Sequence, residues 1–199
     1  MRRGIWPVLG LVVALSLGGC TLRQPAITTE TYVLSLPSAR PGPAGDRSIM
    51  VQPFTAAPAA AGQMFLYRAD DDRYESDFYH RFLTPPERML TDALRRWLMQ
   101  SRAGEVREPG APLAADLVVQ GRLTELHADY REVERPRAVV AMVMIVVQRD
   151  PSGNRQLLEK TYRRSVPMNE VSPRAAVQGW REGIAGVFAD FTRDLRGAR

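Results

Sequence analysis

The sequence is short of the side chains that most often carry chemistry. Its 199 residues hold one cysteine, Cys20, and two histidines, His80 and His127. A single thiol excludes any disulfide within the chain, so cross-links cannot hold this fold. The histidines stand in different strand candidates, and neither has a second His or a Cys at metal-ligand spacing. A Gly-x-Ser-x-Gly nucleophile elbow, a Walker-type phosphate loop and a dinucleotide-binding glycine fingerprint are all absent. These absences point to a binding or structural protein and not an enzyme, with no cofactor and no metal site expected. Concentrated positive charge is missing as well. The formal charge is +5, and the part beyond residue 19, which loses only Arg2 and Arg3, stands at +3. Those charges are spread along the chain, whereas nucleic-acid binding calls for a basic patch or stripe.

Apolar runs are also short. The longest near the N-terminus, Ile5 to Leu17, falls below the ~20 residues that a membrane-spanning helix needs. It follows Arg2 and Arg3 and leads into Leu17-Gly18-Gly19-Cys20. A basic tip, a short apolar core and small residues before a cleavage point are the parts of a secretory signal peptide. The cysteine directly after the small pair makes it resemble a lipobox, in which the thiol takes a diacylglyceryl thioether and becomes the new N-terminus. Lipidation at Cys20 would also account for the odd cysteine of an exported chain. One acyl chain anchors only marginally, at about 0.8 kcal/mol per buried methylene, so the two or three chains of a lipoprotein would hold it permanently. Thr21, rather than Asp, follows the cysteine. By the enterobacterial sorting rule that favours the periplasmic face of the outer membrane.

The organisation expected is a signal peptide over 1–19, a polar tether over 20–30 and one domain over 31–199. Within the domain, Thr31 to Leu36 and Ser48 to Phe54 alternate as short strands, separated by a Pro/Gly loop at 37–47. Ala56 to Gln63 has no periodic signal and is expected to be exposed. Met64 to Arg68 and Arg73 to Phe82 read as an aromatic hairpin around Asp70-Asp71-Asp72. Calcium takes about 6–8 oxygens, usually from spaced positions, so three adjacent aspartates read better as a solvated turn.

Two helices are expected. Thr84-Pro85-Pro86-Glu87 has the composition of a capping box, and Leu90, Leu94, Trp97 and Leu98 follow at helical spacing. A second helix opens at Ser172-Pro173 and runs to about Arg196, with Trp180, Ile184, Val187, Phe188, Phe191 and Leu195 on one stripe. Between them lie three long strand candidates: Asp116 to Tyr130, Ala138 to Arg149 and Gln156 to Met168. The phase shift near Thr124 predicts a bulge. Ala138 to Val147 is apolar on both faces; one must cover the helices, and the other is either buried inside the domain or exposed for a partner. The fold class is α+β, a mostly antiparallel sheet with two long amphipathic helices on one face.

Several of these segments resemble a known family. Thr31-Tyr32-Val33-Leu34, Ser48-Ile49-Met50-Val51-Gln52-Pro53, Leu66-Tyr67-Arg68, Tyr74, Phe78-Tyr79, Phe82 and Pro85-Pro86-Glu87-Arg88-Met89-Leu90 with Trp97-Leu98 are similar to the ABC-type transport auxiliary lipoproteins. That family includes the paraquat-inducible protein C group, and the resemblance covers about residues 31–196. It implies an ABC ATPase and permease and an MCE-domain protein as partners, in a system moving lipids or other hydrophobic molecules between membranes. The chain would dock or support that apparatus at the outer membrane, with a homo-oligomer left open. A structural or regulatory lipoprotein acting on cell-wall synthesis shares the same architecture, since fold does not settle function.

Overall fold

The computed structural model describes residues 28–111, 113–150 and 153–198. The segments read as a signal peptide and most of the expected tether, Cys20 among them, lie outside the described residues. In chain order the elements are β1 (Glu30–Tyr32), β2 (Ser48–Val51), β3 (Thr55–Ala56), a 3₁₀ turn (Pro58–Ala60), β4 (Met64–Arg68), β5 (Tyr74–Phe82), α1 (Pro86–Ser101), β6 (Glu105–Arg107), β7 (Leu117–Asp129), β8 (Arg137–Asp150), β9 (Gly153–Pro167) and α2 (Pro173–Gly197).

Strands β7, β8 and β9 pair antiparallel in sequence, and they carry the longest ladders of the sheet. The expected bulge is present, where register shifts between Leu123 and Glu125. The free edge of β7 is shared by three short strands in succession. Strand β2 pairs at Leu117–Val119, β3 at Arg122–Leu123 and β4 at Ala128–Asp129, all parallel to β7. Strand β6 lies beyond β2, and β5 followed by β1 lies beyond β4. The class is α+β as read from the sequence, and the sheet is mixed. Its parallel part has a simple cause: the chain returns through α1, so β7 starts at the same end as β2. Residues 56–63, expected to be exposed, are partly integrated, because β3 pairs with β7 and Ala60 is buried.

Both helices cover one face. Helix α1 brings Leu90, Leu94, Trp97 and Leu98, and α2 brings Trp180, Ile184, Val187, Phe188, Phe191 and Leu195, all buried. Each fully buried Leu, Ile or Phe contributes roughly 1.5–3 kcal/mol. The helices are joined by the Trp97 Nε1 hydrogen bond to Thr192 Oγ1 at 3.2 Å. Helix α2 comes very close to β8. A Cβ on Gly179 would lie 2.5 Å from Ala138 Cβ, and one on Gly183 would lie 2.9 Å from Val140 Cγ1.

The two helix starts differ. Ser172 caps α2, its Oγ accepting the Ala175 N–H at 3.1 Å, with Pro173 in the first turn. The capping box expected at Thr84 does not form: α1 starts at Pro86, its cap residue is Pro85, and no side chain caps it. Pro86 disfavours helical backbone at Pro85, whose ψ is 133°, so the helix begins one residue beyond the expected position.

Candidate interaction surfaces

Strands β4 and β5 form the expected hairpin, with Arg68 opposite Tyr74 and Phe65 opposite Asp77. The register then jumps so that Met64 faces Arg81, which leaves Phe78, Tyr79 and His80 as an insertion in β5. Asp77 builds this bulge. Its Oδ1 accepts the backbone N–H groups of Tyr79 at 2.8 Å and His80 at 3.1 Å. Its Oδ2 accepts the Tyr67 hydroxyl at 2.7 Å and lies 2.7 Å from His80 Nδ1. Burial by itself would raise the Asp77 pKa. The hydrogen bonds from Tyr67, from the Tyr79 backbone and from His80 outweigh it and hold the carboxyl below its ordinary range. Burial, then the bond to Asp77, pushes the Tyr67 hydroxyl well up, so the proton stays on Tyr67 and the charge on Asp77. The bulge turns two aromatic side chains outward: Phe78 is 74% and Tyr79 52% exposed. The signal in the sequence was Phe78-Tyr79 itself, an adjacent aromatic pair that cannot occupy one face of a regular strand.

The two histidines are not brought together. The His80 ring stacks on Phe65 at 6.4 Å between centroids, towards the core, whereas His127 meets Tyr74 edge-on at 5.4 Å. Its main chain is tied to α2, the carbonyl oxygen accepting Trp180 Nε1 at 3.0 Å. His127 forms part of the wall of a cleft of about 350 Å³ between residues 58–62, the β4–β5 hairpin and β7. Met64, Leu66, Tyr74 and Leu126 supply apolar lining, and Ser76 and Thr124 add hydroxyls. The His127 ring is buried, and among the described residues its Nε2 has no hydrogen-bond partner. Burial lowers its pKa, against the opposing carboxylates of Glu125 and Asp129, and keeps the ring neutral.

The second apolar face of β8 has no helix over it among the described residues. Val139 and Ala141 are buried there, and Val143, Ile145 and Val147 are half-buried. Long side chains from the neighbouring strands supply the partial cover. Ala141 lies between Glu125 and Arg163, whose ion pair at 3.1 Å bridges above it. Val143 is flanked by Arg122 and Thr161, and Ile145 by Gln120 and Glu159. Burial is thus complete at one end of the strand, at Val139 and Ala141, and partial at the other, from Val143 to Val147. The result is an open sheet face with an apolar spine and a polar rim.

The Asp70–Asp72 turn is exposed, and Arg131 answers it, with Nη1 at 2.6 Å from Asp71 and Nη2 at 2.8 Å from Asp129. Among the described residues no three His, Cys, Asp or Glu side chains gather as metal ligands, and no helix is long and apolar enough to cross a membrane.

The architecture is shared with solved structures at low sequence identity. A Xanthomonas campestris protein of family DUF330 superposes with a TM-score of 0.71 at 15% identity, covering 81% of this chain and 92% of its own. An uncharacterised protein superposes at 0.67 with 16% identity, covering 84% and 99%. A hypothetical protein of Chlamydia trachomatis reaches 0.56 at 12% identity, covering 77% and 98%. These likenesses establish the fold. No curated protein matches the sequence at a significant level. The family model for the ABC-type transport auxiliary lipoprotein component matches residues 32–191, from β1 into the last turns of α2. The chain belongs to the ABC-type transport auxiliary lipoprotein family.

Proposed function

We propose that this protein is the outer-membrane-anchored auxiliary lipoprotein of an ABC/MCE-type system that moves lipids or other hydrophobic molecules between the two membranes. It acts there as a docking or structural component and not as an enzyme. The observation that supports this reading is the family match, which spans nearly all of the folded region rather than one shared motif. Cys20 holds the lipid, and the polar segment to Glu30 tethers the domain. The open face of β8 suits a docking role, because half-buried Val143, Ile145 and Val147 offer apolar area inside a charged rim that fixes orientation. The MCE-domain protein is the partner assigned to that face.

The experiment is a crosslinking pull-down of the mature protein from intact envelopes, with Cys20→Ala as control. Recovery of an MCE-domain protein, weakened in the unanchored control, is the expected result. Recovery of cell-wall synthases with no MCE-domain protein would overturn the proposal in favour of a regulatory lipoprotein.

A further inference from the structure

The rigid bulge at Phe78–Tyr79 exposes two aromatic side chains at one corner of the sheet, and three observations bear on what covers them. The first is where the chain enters the fold. Strand β1 is the outermost strand on this side and runs parallel to β5, with Glu30 opposite His80. Thr28 and Thr29 therefore reach the sheet alongside the bulge, on the path leading back to Cys20. The ten steps from Cys20 to Glu30 can span at most about 35 Å. The bulge is thus at the root of the tether.

The second observation is the company it keeps. Val33, Met64 and Leu83 are 48%, 47% and 59% exposed at the same corner. Met64 and Thr31 both sit opposite Arg81, and the Leu83 N–H bonds the Tyr32 carbonyl at 2.8 Å. Apolar side chains around Arg81, with Tyr79 and the exposed Glu30 carboxylate beside them, match the graded chemistry of a bilayer's zwitterionic head-group layer. The third is rigidity. Asp77 fixes the backbone of both Tyr79 and His80, so little ordering remains when the rings are covered.

We propose that Phe78 and Tyr79, with Val33, Met64 and Leu83 around them, rest in the interfacial layer of the same membrane that holds the Cys20 lipid. The inference depends on the lipidation proposed above. The contact turns the anchor from a leash into an oriented mount: the β1 edge meets lipid, and β9, at the opposite edge of the sheet, faces away. The open face of β8 is then presented sideways, accessible to a partner.

The test uses the full chain, processed in its bacterial host, purified and reconstituted into phosphatidylethanolamine–phosphatidylglycerol vesicles with or without brominated acyl chains. Phe78→Trp is the reporter. Leu113→Trp, at an exposed site preceding β7 and far from the hairpin, is the control. Trp97 and Trp180 are buried and give a constant background. The expected result is loss of most of the Phe78→Trp emission in brominated vesicles, while the Leu113→Trp emission is retained. Protein that is lipidated by mass and bound to vesicles, with neither reporter quenched or both quenched equally, overturns the oriented contact alone. An unmodified Cys20 with protein that stays off the vesicles overturns the lipidation and, with it, this inference.

Discussion

The Tyr67 hydroxyl on β4 donates a 2.7 Å hydrogen bond to the Asp77 carboxylate on β5, and the same carboxylate holds the backbone of the next two residues but one. One acid thus joins the hairpin strands and sets the direction of Phe78 and Tyr79. Asp77→Asn keeps the shape but removes the charge, and an amide has a single oxygen for these donors. The expected loss is about 1.5–3 kcal/mol, the range for hydrogen bonds to a charged group, read as a lower urea midpoint at pH 7. The sign with pH follows from the depressed pKa. The Asp77 contribution is fully present above the unfolded value of 3.8 and is lost as pH falls through the lower folded value. Wild type and variant should converge in acid. A midpoint difference that persists unchanged well below pH 3.8 would show that the carboxylate is not its source.

His127 titrates in the opposite chemical sense but with the same direction of stability. Burial disfavours its charged form, so the unfolded chain binds more protons just below its ordinary pKa of 6.5. Stability from the neutral ring is complete above pH 6.5 and declines as pH falls towards the lower folded value. His127→Phe removes both the titration and the unpartnered Nε2. The variant should melt no lower than wild type at pH 7.5 and increasingly higher as pH drops from 6.5 to 5. Parallel melting curves for the two proteins across that range would refute this.

These two sites rest on contacts that no periodic pattern in the sequence encodes. Periodicity located the long strands, the bulge near Thr124 and both helices, because each bears a repeating apolar pattern. It missed β3 and β6, which are two and three residues long and pair only because α1 returns the chain beside β2. Asp77 was not legible as the centre of a network, since its partners come from a neighbouring strand and from backbone N–H groups exposed by a register jump. The capping composition at Thr84 misled, because the Pro85-Pro86 pair moved the helix start past the threonine. The family resemblance was carried by core positions such as Tyr32, Phe82, Leu90 and Trp97, and these pack as one core.

Helix α2 offers a prediction against ordinary helix propensity. Replacing an exposed helical glycine with alanine normally stabilises by about 1 kcal/mol. Gly179→Ala should instead destabilise, since its Cβ would lie 2.5 Å from Ala138 Cβ on a strand that cannot withdraw. Overpacking of this kind costs about 1–3 kcal/mol. Gly186→Ala is the internal control, because its nearest neighbour is the flexible Arg164 side chain, 3.1 Å from the added Cβ at Nε. The two variants should shift the denaturant midpoint in opposite directions. Equal shifts would mean that α2 is not seated on β8 as closely as described.

The open face of β8 can be separated from the core by substitution. Ile145 is half-buried there, between Gln120 and Glu159, so Ile145→Lys places a long, flexible cation beside an existing acid. Its aliphatic stem still covers the strand while the ammonium reaches water, and a small loss of stability is expected. Docking should suffer far more, because a partner covering the spine would have to bury that charge. Arg163→Ala tests the rim on the same face. Its ion pair with Glu125 is largely exposed and contributes at most about 1 kcal/mol to folding, whereas its loss uncovers Ala141. If this face receives the MCE-domain partner, Ile145→Lys abolishes crosslinking to it in intact envelopes, while the folded protein remains at normal abundance and Arg163→Ala retains most of the crosslink. Undiminished crosslinking by Ile145→Lys would move the docking site off β8 and leave its apolar spine as a feature of folding alone.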